Sequence, residues 1–349
     1  MRRLDYDTLM EFGTRLLTAK GVDADDARYI TEVAVRTHAF GITTHGLPLI
    51  SSLGNTLGKS THPGAKPDVV KETDAAACIH GRGGIGHLAV KLACELAEKK
   101  AREQGVALIT VTGISWIAAL GMHLLPLAEK GLLAEAWTQT SSCADAAPYG
   151  GIDAKLSTNP VAFVFPTDRE PAVIDFSTTT YSMGKVGKMI REGEQAPEPL
   201  FLDKDGQLTC DPSVVREGGS ILPFGGERFG FRGYGMSLWI EALTAMAGGS
   251  CNNPDVPISQ TFVLTVMEPD HFGGREYYRK EMTRFIAHLL DNRVRPGFNG
   301  IRIPGARGHA AMRAAKEEGL PVEDYLFEKL QALARGAGIP PLPGDEGSH

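Results

Sequence analysis

A histidine flanked by a hydroxyl residue and a glycine is the first feature of this sequence that could do chemistry. Thr44, His45 and Gly46 directly follow a segment with helical periodicity. An imidazole with an ordinary pKa of about 6.5 can exchange a proton with an alcohol or an amine near neutral pH. The adjacent hydroxyl can orient the ring, and the glycine leaves the backbone open to a ligand. A lone histidine is more often structural, so a catalytic role for His45 needs support from other segments of the sequence.

Three later segments place small polar residues where strands end or helices begin. They are residues 157–160 (Ser-Thr-Asn-Pro), 175–179 (Asp-Phe-Ser-Thr-Thr) and 304–308 (Pro-Gly-Ala-Arg-Gly). Free backbone amides and short hydroxyl side chains at such points can hold phosphate and ribose oxygens. Each segment alone is an ordinary turn. Together with His45, they indicate a dinucleotide site beside a residue that exchanges protons.

A glycine-rich loop at residues 81–86 also matches a dinucleotide pattern, G-x-G-x-x-G between a strand and a helix. A Rossmann domain places an acidic ribose ligand about 20 residues further on, at the end of a second strand. Here that position falls within residues 101–105, before the next strand begins. We therefore interpret the loop as a flexible turn into a helix, with a dinucleotide loop as the alternative.

The elements that must position these residues follow from the hydrophobic periodicity. Helices are predicted at residues 5–20, 24–39, 46–57, 87–104, 120–130, 233–247, 272–290, 308–318 and 321–335. Strands are predicted at residues 75–80, 106–112, 133–140, 160–166, 171–175 and 261–267. Asp23 stands in the N-cap position of the second helix. The polar stretch 192–220 is interpreted as an excursion from an α/β fold with helices on a sheet.

Three regions are expected along the chain. Residues 1–75 form an N-terminal helical region that carries His45. Residues 76–335 form an α/β region that binds cofactor and substrate, and its last helices return to pack on the N-terminal region. Residues 336–349 are rich in proline and glycine and are predicted to be a flexible tail.

Composition excludes several classes of protein. The chain has 349 residues, 42% of them hydrophobic, and a net charge of −6 without any basic run, so nucleic acid is not an expected partner. No apolar run is long enough to span a membrane, and the first residues do not resemble a signal peptide. The five cysteines are widely spaced, which argues against both a disulfide framework and a zinc site. We expect a cytoplasmic protein with no metal and no membrane partner.

The order and spacing of these segments resemble the type-2 malate/L-lactate dehydrogenase family. This family includes ureidoglycolate and sulfolactate dehydrogenases and reductases of cyclic imine-2-carboxylates. The similar segments span nearly the whole chain, at residues 44–46, 83–87, 147–151, 158–160, 175–179, 222–226, 233–235 and 304–305. The resemblance implies an α/β fold that is not a Rossmann fold, with a largely antiparallel central sheet, flanking helices and an N-terminal helical region. It also implies a homodimer with the active site near its interface.

The resemblance assigns roles to individual residues. It makes His45 the proton donor or acceptor and places Thr44 where the family usually has a serine. The cofactor it implies is NAD(H) or NADP(H), and the partner is a small-molecule substrate. The implied cofactor-binding residues are Thr158, Asn159, Asp175, Phe176, Ser177, Thr178, Pro304, Gly305, Ala306, Arg307 and Gly308.

The implied substrate pocket departs from the family pattern at Leu49 and around Trp116, and Lys185 is a third residue of that pocket. Leu49 replaces the arginine that pairs with a substrate carboxylate, and leucine cannot imitate a bidentate guanidinium. Trp116 replaces a histidine, and Ala118, two residues later, replaces a glycine. Lys185 falls where the imine reductases have aspartate and other members often have lysine. These changes predict a pocket for a less anionic or more aromatic substrate.

Two alternatives to an altered pocket remain open from the sequence. In the first, the register differs by one residue. In the second, another cation replaces the missing arginine, for example Arg36, Arg82 or Arg307. Arg307 also suits a ribose 2′-phosphate, which favours NADP(H).

The predicted function is hydride transfer between a nicotinamide and the C=O or C=N carbon of a small substrate, either a 2-oxo acid or a cyclic imine. The imine would tolerate the missing histidine better, because an iminium arrives already protonated. The alternative function is a homologue that has lost redox turnover and binds a metabolite or catalyses a non-redox step.

Overall fold

A seven-stranded sheet forms the centre of the protein, of which this computed structural model describes residues 2–344. Its strands are β2 (Asp68–Glu72), β3 (Ala76–Gly84), β4 (Val106–Ile114), β5 (Leu133–Thr140), β6 (Pro160–Phe165), β7 (Ala172–Ser177) and β11 (Gln260–Met267). They lie in the order β2-β3-β4-β11-β5-β6-β7, and only β3 and β4 pair in parallel. The predicted α/β class with a largely antiparallel sheet and flanking helices is confirmed.

Eleven helices are present among residues 2–344. They are α1 (Tyr6–Ala19), α2 (Ala24–Ala39), α3 (Pro48–Thr56), α4 (Gly86–Gln104), α5 (Gly121–Glu129), α6 (Met183–Glu192), α7 (Gly226–Phe229), α8 (Phe231–Met246), α9 (Arg275–Leu290), α10 (Ala306–Glu318) and α11 (Asp324–Ala337). Asp23 caps α2 as predicted, because its side chain accepts from the amides of Asp25 and Asp26. None of these helices is long and apolar enough to cross a membrane.

The main core lies between the sheet and the helices α4 and α5. Alternate residues of the strands, such as Ile109, Val111 and Phe262, are fully buried there against small residues of α4 such as Ala93 and Ala97. Small side chains on α4 let the helix lie close to the sheet. This packing fixes the ends of β6 and β7, where two of the predicted cofactor segments lie.

A second core joins the two ends of the chain. Helices α1, α2 and α3 pack with α11, and β1 (Arg2–Leu4) pairs with β12 (Leu320–Val322). Leu342 is buried, and the side chain of Gln331 bonds to its backbone N–H and C=O. Leu342 is therefore held in place, although it lies in the segment predicted to be a flexible tail. Residues 345–349 of that segment lie outside the described range.

The predicted excursion forms a small separate unit. A three-stranded sheet of β8 (Phe201–Leu202), β9 (Leu208–Thr209) and β10 (Ser220–Ile221) lies beside a 3₁₀ helix at Pro212–Glu217. A second 3₁₀ helix, Pro269–His271, precedes α9. Helix α6 packs on this unit through Val186 and Met189. The excursion is thus an ordered support for α6, whose first turn faces His45.

Two buried histidines lie next to each other between α4 and α5, with their ring planes tilted by 54°. The ring centroids of His87 and His123 are 4.9 Å apart. Within residues 2–344, neither nitrogen of His87 has a hydrogen-bond partner, and His123 bonds only through Nε2, to the carbonyl oxygen of Ile117. Burial lowers the pKa of both, that of His123 to about 4. Both rings are therefore neutral at physiological pH.

His87 is expected to make the protein sensitive to acid. Below about pH 6.5 the unfolded chain takes up a proton at this histidine and the folded protein does not, so stability falls as the pH falls. One such group contributes at most about 1.4 kcal/mol per pH unit. His87→Leu should therefore lose less unfolding free energy than the wild type between neutral pH and pH 5, measured by denaturant unfolding. The exposed His288→Leu is the control, and an unchanged slope in His87→Leu would contradict this assignment.

Candidate active site

A cleft of about 380 Å³ lies where the N-terminal helical region meets the ends of β6 and β7. It brings together residues from two of the three predicted cofactor segments with the predicted catalytic pair. Its lining residues are Ile42, Thr44, His45, Ala118, Ala119, Thr158, Pro160, Asp175, Phe176, Ser177, Thr179, Thr180, Tyr181, Ser182 and Phe224. Residues more than 100 positions apart in the chain thus meet at one site. Local sequence patterns alone do not predict such a meeting.

His45 is held by its neighbour in the chain. Nδ1 lies 2.8 Å from Oγ1 of Thr44, as predicted, so Nε2 is the nitrogen left for a ligand. Burial lowers the pKa of His45 to about 4. Helix α6 begins against this pair: a Cβ on Gly184 would lie 3.2 Å from Cε1 of His45. The imidazole is therefore neutral at physiological pH and closely surrounded.

Asp175 lies at the end of β7 and faces the start of α5. Its Oδ2 accepts a hydrogen bond of 2.8 Å from the amide of Gly121, where a negative charge is favoured by the helix dipole. Burial raises the pKa of Asp175 to about 6, against the effect of that hydrogen bond. Asp175 is thus an acidic group in the cleft whose ionised form is held by a backbone amide and opposed by burial.

A buried network that the sequence analysis missed supports the loop at Asn159. This residue has a φ of +34°, and its Nδ2 donates to Oγ of Ser237 at 2.8 Å and to Oε1 of Glu241 at 3.0 Å. Ser157 donates to its Oδ1. Oε2 of Glu241 accepts from the amide of Asn252 at 3.0 Å. Asn159 therefore positions the loop from beneath, and its side chain does not line the cleft.

The same loop connects to the neighbouring segment. The carbonyl oxygen of Thr158 accepts from the amide of Thr178 at 3.0 Å and from its hydroxyl at 3.2 Å. Thr178 is buried, whereas Thr158 and Ser177 line the cleft. The two predicted cofactor segments are thus one hydrogen-bonded unit resting on Glu241 of α8.

Changing Glu241 to glutamine is expected to destabilise this unit. The new amide would place a donor against Nδ2 of Asn159 or against the amide of Asn252, and a buried donor without an acceptor costs about 1–3 kcal/mol. The unfolding free energy should fall by this amount, measured by denaturant titration. Glu328→Gln, on the exposed face of α11, is the matched control and should be neutral. Equal stabilities of the two variants would contradict the supporting role.

The third predicted cofactor segment lies along the edge of the sheet. The carbonyl oxygen of Pro304 accepts from the amide of Val173 at 3.2 Å, and Gly305 turns into α10 with a φ of +93°. Ala306 and Arg307 are exposed, and Gly308 is buried against the ring of Phe40. None of the residues 304–308 lines the cleft around His45, so a ligand touching both would have to extend along β7.

The predicted substrate-pocket residues are distributed unequally. The Trp116 ring lies 5.6 Å from the His45 ring, centroid to centroid, and packs on the N-terminal core. Leu49 is fully buried in that core and does not line the cleft. Lys185 also points elsewhere, because its Nζ lies 2.9 Å from Oε2 of Glu194. Of the three, only Trp116 is next to the candidate catalytic residue.

The glycine-rich loop 81–86 is part of the β3 to α4 connection and is not among the cleft residues. The amide of His62 donates to the carbonyl oxygen of Gly83 at 3.0 Å, which ties the loop to the N-terminal region. A Cβ on Gly86 would lie 2.4 Å from the carbonyl oxygen of Ser115. The glycine at this position is therefore required by close packing.

Comparison with known sequences places this fold and cleft in one family of oxidoreductases. The sequence profile of the malate/L-lactate dehydrogenase family matches residues 4–331, and the protein belongs to that family. Among its relatives is the malate dehydrogenase of Pyrococcus horikoshii, 28% identical, with 97% of this chain and 96% of the relative aligned. The Δ1-pyrroline-2-carboxylate/Δ1-piperideine-2-carboxylate reductase of Pseudomonas putida is also 28% identical, with 95% and 96% aligned.

Solved structures agree with this assignment. The malate dehydrogenase of Pyrococcus horikoshii superposes with a TM-score of 0.89 at 26% identity, covering 98% of this chain and 97% of that one. The Δ1-piperideine-2-carboxylate reductase of Pseudomonas syringae superposes with a TM-score of 0.81 at 26% identity, covering 96% and 100%. The family predicted from the spacing of the sequence segments is therefore confirmed.

Proposed function

We propose that the protein is an NAD(P)-dependent oxidoreductase that transfers a hydride between the nicotinamide and the C=O or C=N carbon of a small substrate. The observation that carries the proposal is the cleft itself, which joins the Thr44–His45 pair to Thr158, Asp175 and Ser177. Relatives named malate dehydrogenase and Δ1-pyrroline-2-carboxylate reductase support both kinds of acceptor carbon.

The residues of the cleft fit a nicotinamide and its ribose. Hydroxyl groups of Thr158, Ser177 and Thr179 line one side, and the rings of Phe176 and Phe224, 5.6 Å apart, offer flat apolar surfaces. Such a cofactor would supply or accept the hydride. The chain then has to orient the substrate, exclude water and move one proton.

His45 is the residue suited to that proton. When Nδ1–H donates to Thr44, Nε2 is a free base that can take the proton of a substrate hydroxyl as the hydride leaves the same carbon. In the reverse direction the imidazolium returns the proton to the oxygen. The remaining walls of the cleft orient the substrate and exclude water, which supplies much of the rate in such a site.

We also propose a homodimer in the cytoplasm. Leu238, Trp239 and Met246 on α8 are each more than half exposed, and a cluster of large apolar side chains on one helix is typical of an interaction surface. The five cysteines are all free, which suits a reducing compartment. Sedimentation equilibrium of the purified protein tests the assembly.

Cofactor binding followed by turnover tests the function. We expect calorimetric titration to show saturable binding of NADH or NADPH, and the absorbance of the reduced cofactor to decrease with imines or 2-oxo compounds. Comparing the two cofactors also gives the preference between them. If the protein binds neither cofactor, this proposal is excluded. The remaining function is then the alternative, a homologue that has lost redox turnover.

A further inference from the structure

Among residues 2–344, no lysine or arginine lines the cleft around His45. Its ionisable residues are His45, Asp175 and Tyr181; the others are hydroxyl, small or apolar side chains. A substrate carboxylate is normally paired with a guanidinium or an ammonium when it leaves water. The residues that line this cleft offer neither, and Asp175 is an acidic group.

The cations that the sequence offered as replacements for the missing arginine do not line the cleft. Nη2 of Arg36 donates to the carbonyl oxygen of Met122 at 2.5 Å, and its buried Nε has no hydrogen-bond partner among residues 2–344. Arg82 pairs with Asp68 at 2.8 Å. Lys185 is paired with Glu194, and Arg307 is exposed on α10, outside the cleft. None of these four side chains is among the residues that line the cleft around His45.

The wall beside His45 is apolar. Trp116 lies against the imidazole, and two residues further on Ala118 lines the cleft with a φ of +62°, a left-handed conformation that favours glycine. The chain thus keeps a methyl group at this position in spite of a backbone cost. An indole ring therefore packs beside His45 and a methyl group lines the same cleft, and neither can pair with a carboxylate.

We propose that this site, if it performs the proposed hydride transfer, reduces cyclic imines that carry no carboxylate, bound as iminium ions. An unpaired carboxylate here would lose its hydration without gaining a cation, which is costly. An iminium without a carboxylate avoids this cost, and its positive charge is compatible with a cleft whose lining contains Asp175 and no cationic side chain. The hydride forms the new C–H bond, the C=N π pair moves to nitrogen, and NAD(P)⁺ and an amine result.

The state of His45 agrees with this substrate class. Since burial keeps the imidazole neutral near pH 7, it is a poor proton donor to a neutral carbonyl in the reducing direction. An iminium already carries the proton that the product amine retains. The reaction then needs His45 as a hydrogen-bonding partner and not as an acid.

Matched substrate pairs test the proposal. Δ1-pyrroline is compared with Δ1-pyrroline-2-carboxylate, and Δ1-piperideine with its 2-carboxylate, at saturating NADPH or NADH. We expect kcat/KM to favour the members without carboxylate by at least about tenfold, since each tenfold corresponds to about 1.4 kcal/mol. The same pairs are titrated calorimetrically into the cofactor-loaded enzyme. If turnover is too slow to compare kcat/KM, the binding affinities of the two members of each pair are compared instead. A preference for the carboxylates in either measurement overturns the inference.

A second comparison introduces the missing charge. Trp116→Arg should raise the activity or affinity toward the carboxylate members at least about tenfold relative to Trp116→Met, which opens the same space without a charge. No difference between the two folded variants counts against the inference, and the wild-type comparison decides where a variant does not fold. Absence of cofactor binding would exclude the proposed function itself, whereas cofactor binding with a carboxylate preference would exclude only this substrate class.

Discussion

Replacing His45 by glutamine is expected to lower kcat for oxidation of a hydroxy substrate by about 10²–10⁴-fold, because this reaction, unlike iminium reduction, needs a positioned general base. Glutamine keeps a hydrogen-bonding group near Thr44 but cannot accept a proton. Cofactor affinity should remain nearly unchanged, because the hydroxyl and aromatic residues of the cleft are intact. Steady-state kinetics and calorimetric cofactor titration on the same preparation separate the two effects.

Two further variants serve as controls, one at the hydrogen-bond partner of His45 and one at an exposed histidine. Thr44→Val removes the partner of Nδ1 and should cause a smaller loss than His45→Gln, because the ring remains present. His288→Gln on exposed α9 should have no effect. A His45→Gln enzyme with wild-type kcat in the oxidation direction would remove the imidazole from the mechanism.

Most of the fold follows from periodicity, and the exceptions have local causes. The predicted strands and long helices of the α/β region are present, with small shifts at their ends. Helix α6 was missed because Gly184 and Gly187 lower the helix propensity of a short segment. Strand β2 was missed because its residues are mostly exposed and charged at the edge of the sheet, so no burial pattern marks it.

The site was predictable where one segment carries its own signal. Thr44, His45, Asp175 and Ser177 stand in recognisable motifs, and the structure places all four in one cleft. Glu241 has no such signal: it lies in a largely apolar helix, and its partner Asn159 is 82 positions away. Supporting contacts of this kind depend on the tertiary packing and cannot be found from local sequence patterns.

The positions of the altered pocket residues could not be predicted from the sequence alone. The sequence placed Leu49 and Trp116 together as altered pocket residues. In the fold they separate, since Leu49 belongs to the N-terminal core and Trp116 contacts the His45 ring. Substituting Leu49 by arginine would bury a charge in that core, so restoring the family residue there is a poor way to test the substrate class.

Gly46→Ala is expected to be the most damaging small substitution near the site. A Cβ on Gly46 would lie 2.5 Å from Cβ of His38 and 2.6 Å from its backbone nitrogen and Cα. Helix α2 cannot yield there by rotating a side chain, so the loop carrying His45 must move. We expect a loss of about 3 kcal/mol in unfolding free energy, at the upper end for overpacking, together with a lower kcat.

Gly187→Ala is the matched control for that substitution, because a Cβ at Gly187 in α6 meets nothing within 4 Å. Alanine is the better helix former by about 1 kcal/mol, so this variant should be neutral or slightly more stable. Denaturant unfolding measures both changes, and turnover of the same preparations shows whether the loop has moved His45. A Gly46→Ala protein as stable and as active as Gly187→Ala would mean that α2 and the His45 loop are not in the close contact described here. Loss of turnover with full stability would instead mean that the loop moves freely and that only the position of the imidazole depends on Gly46.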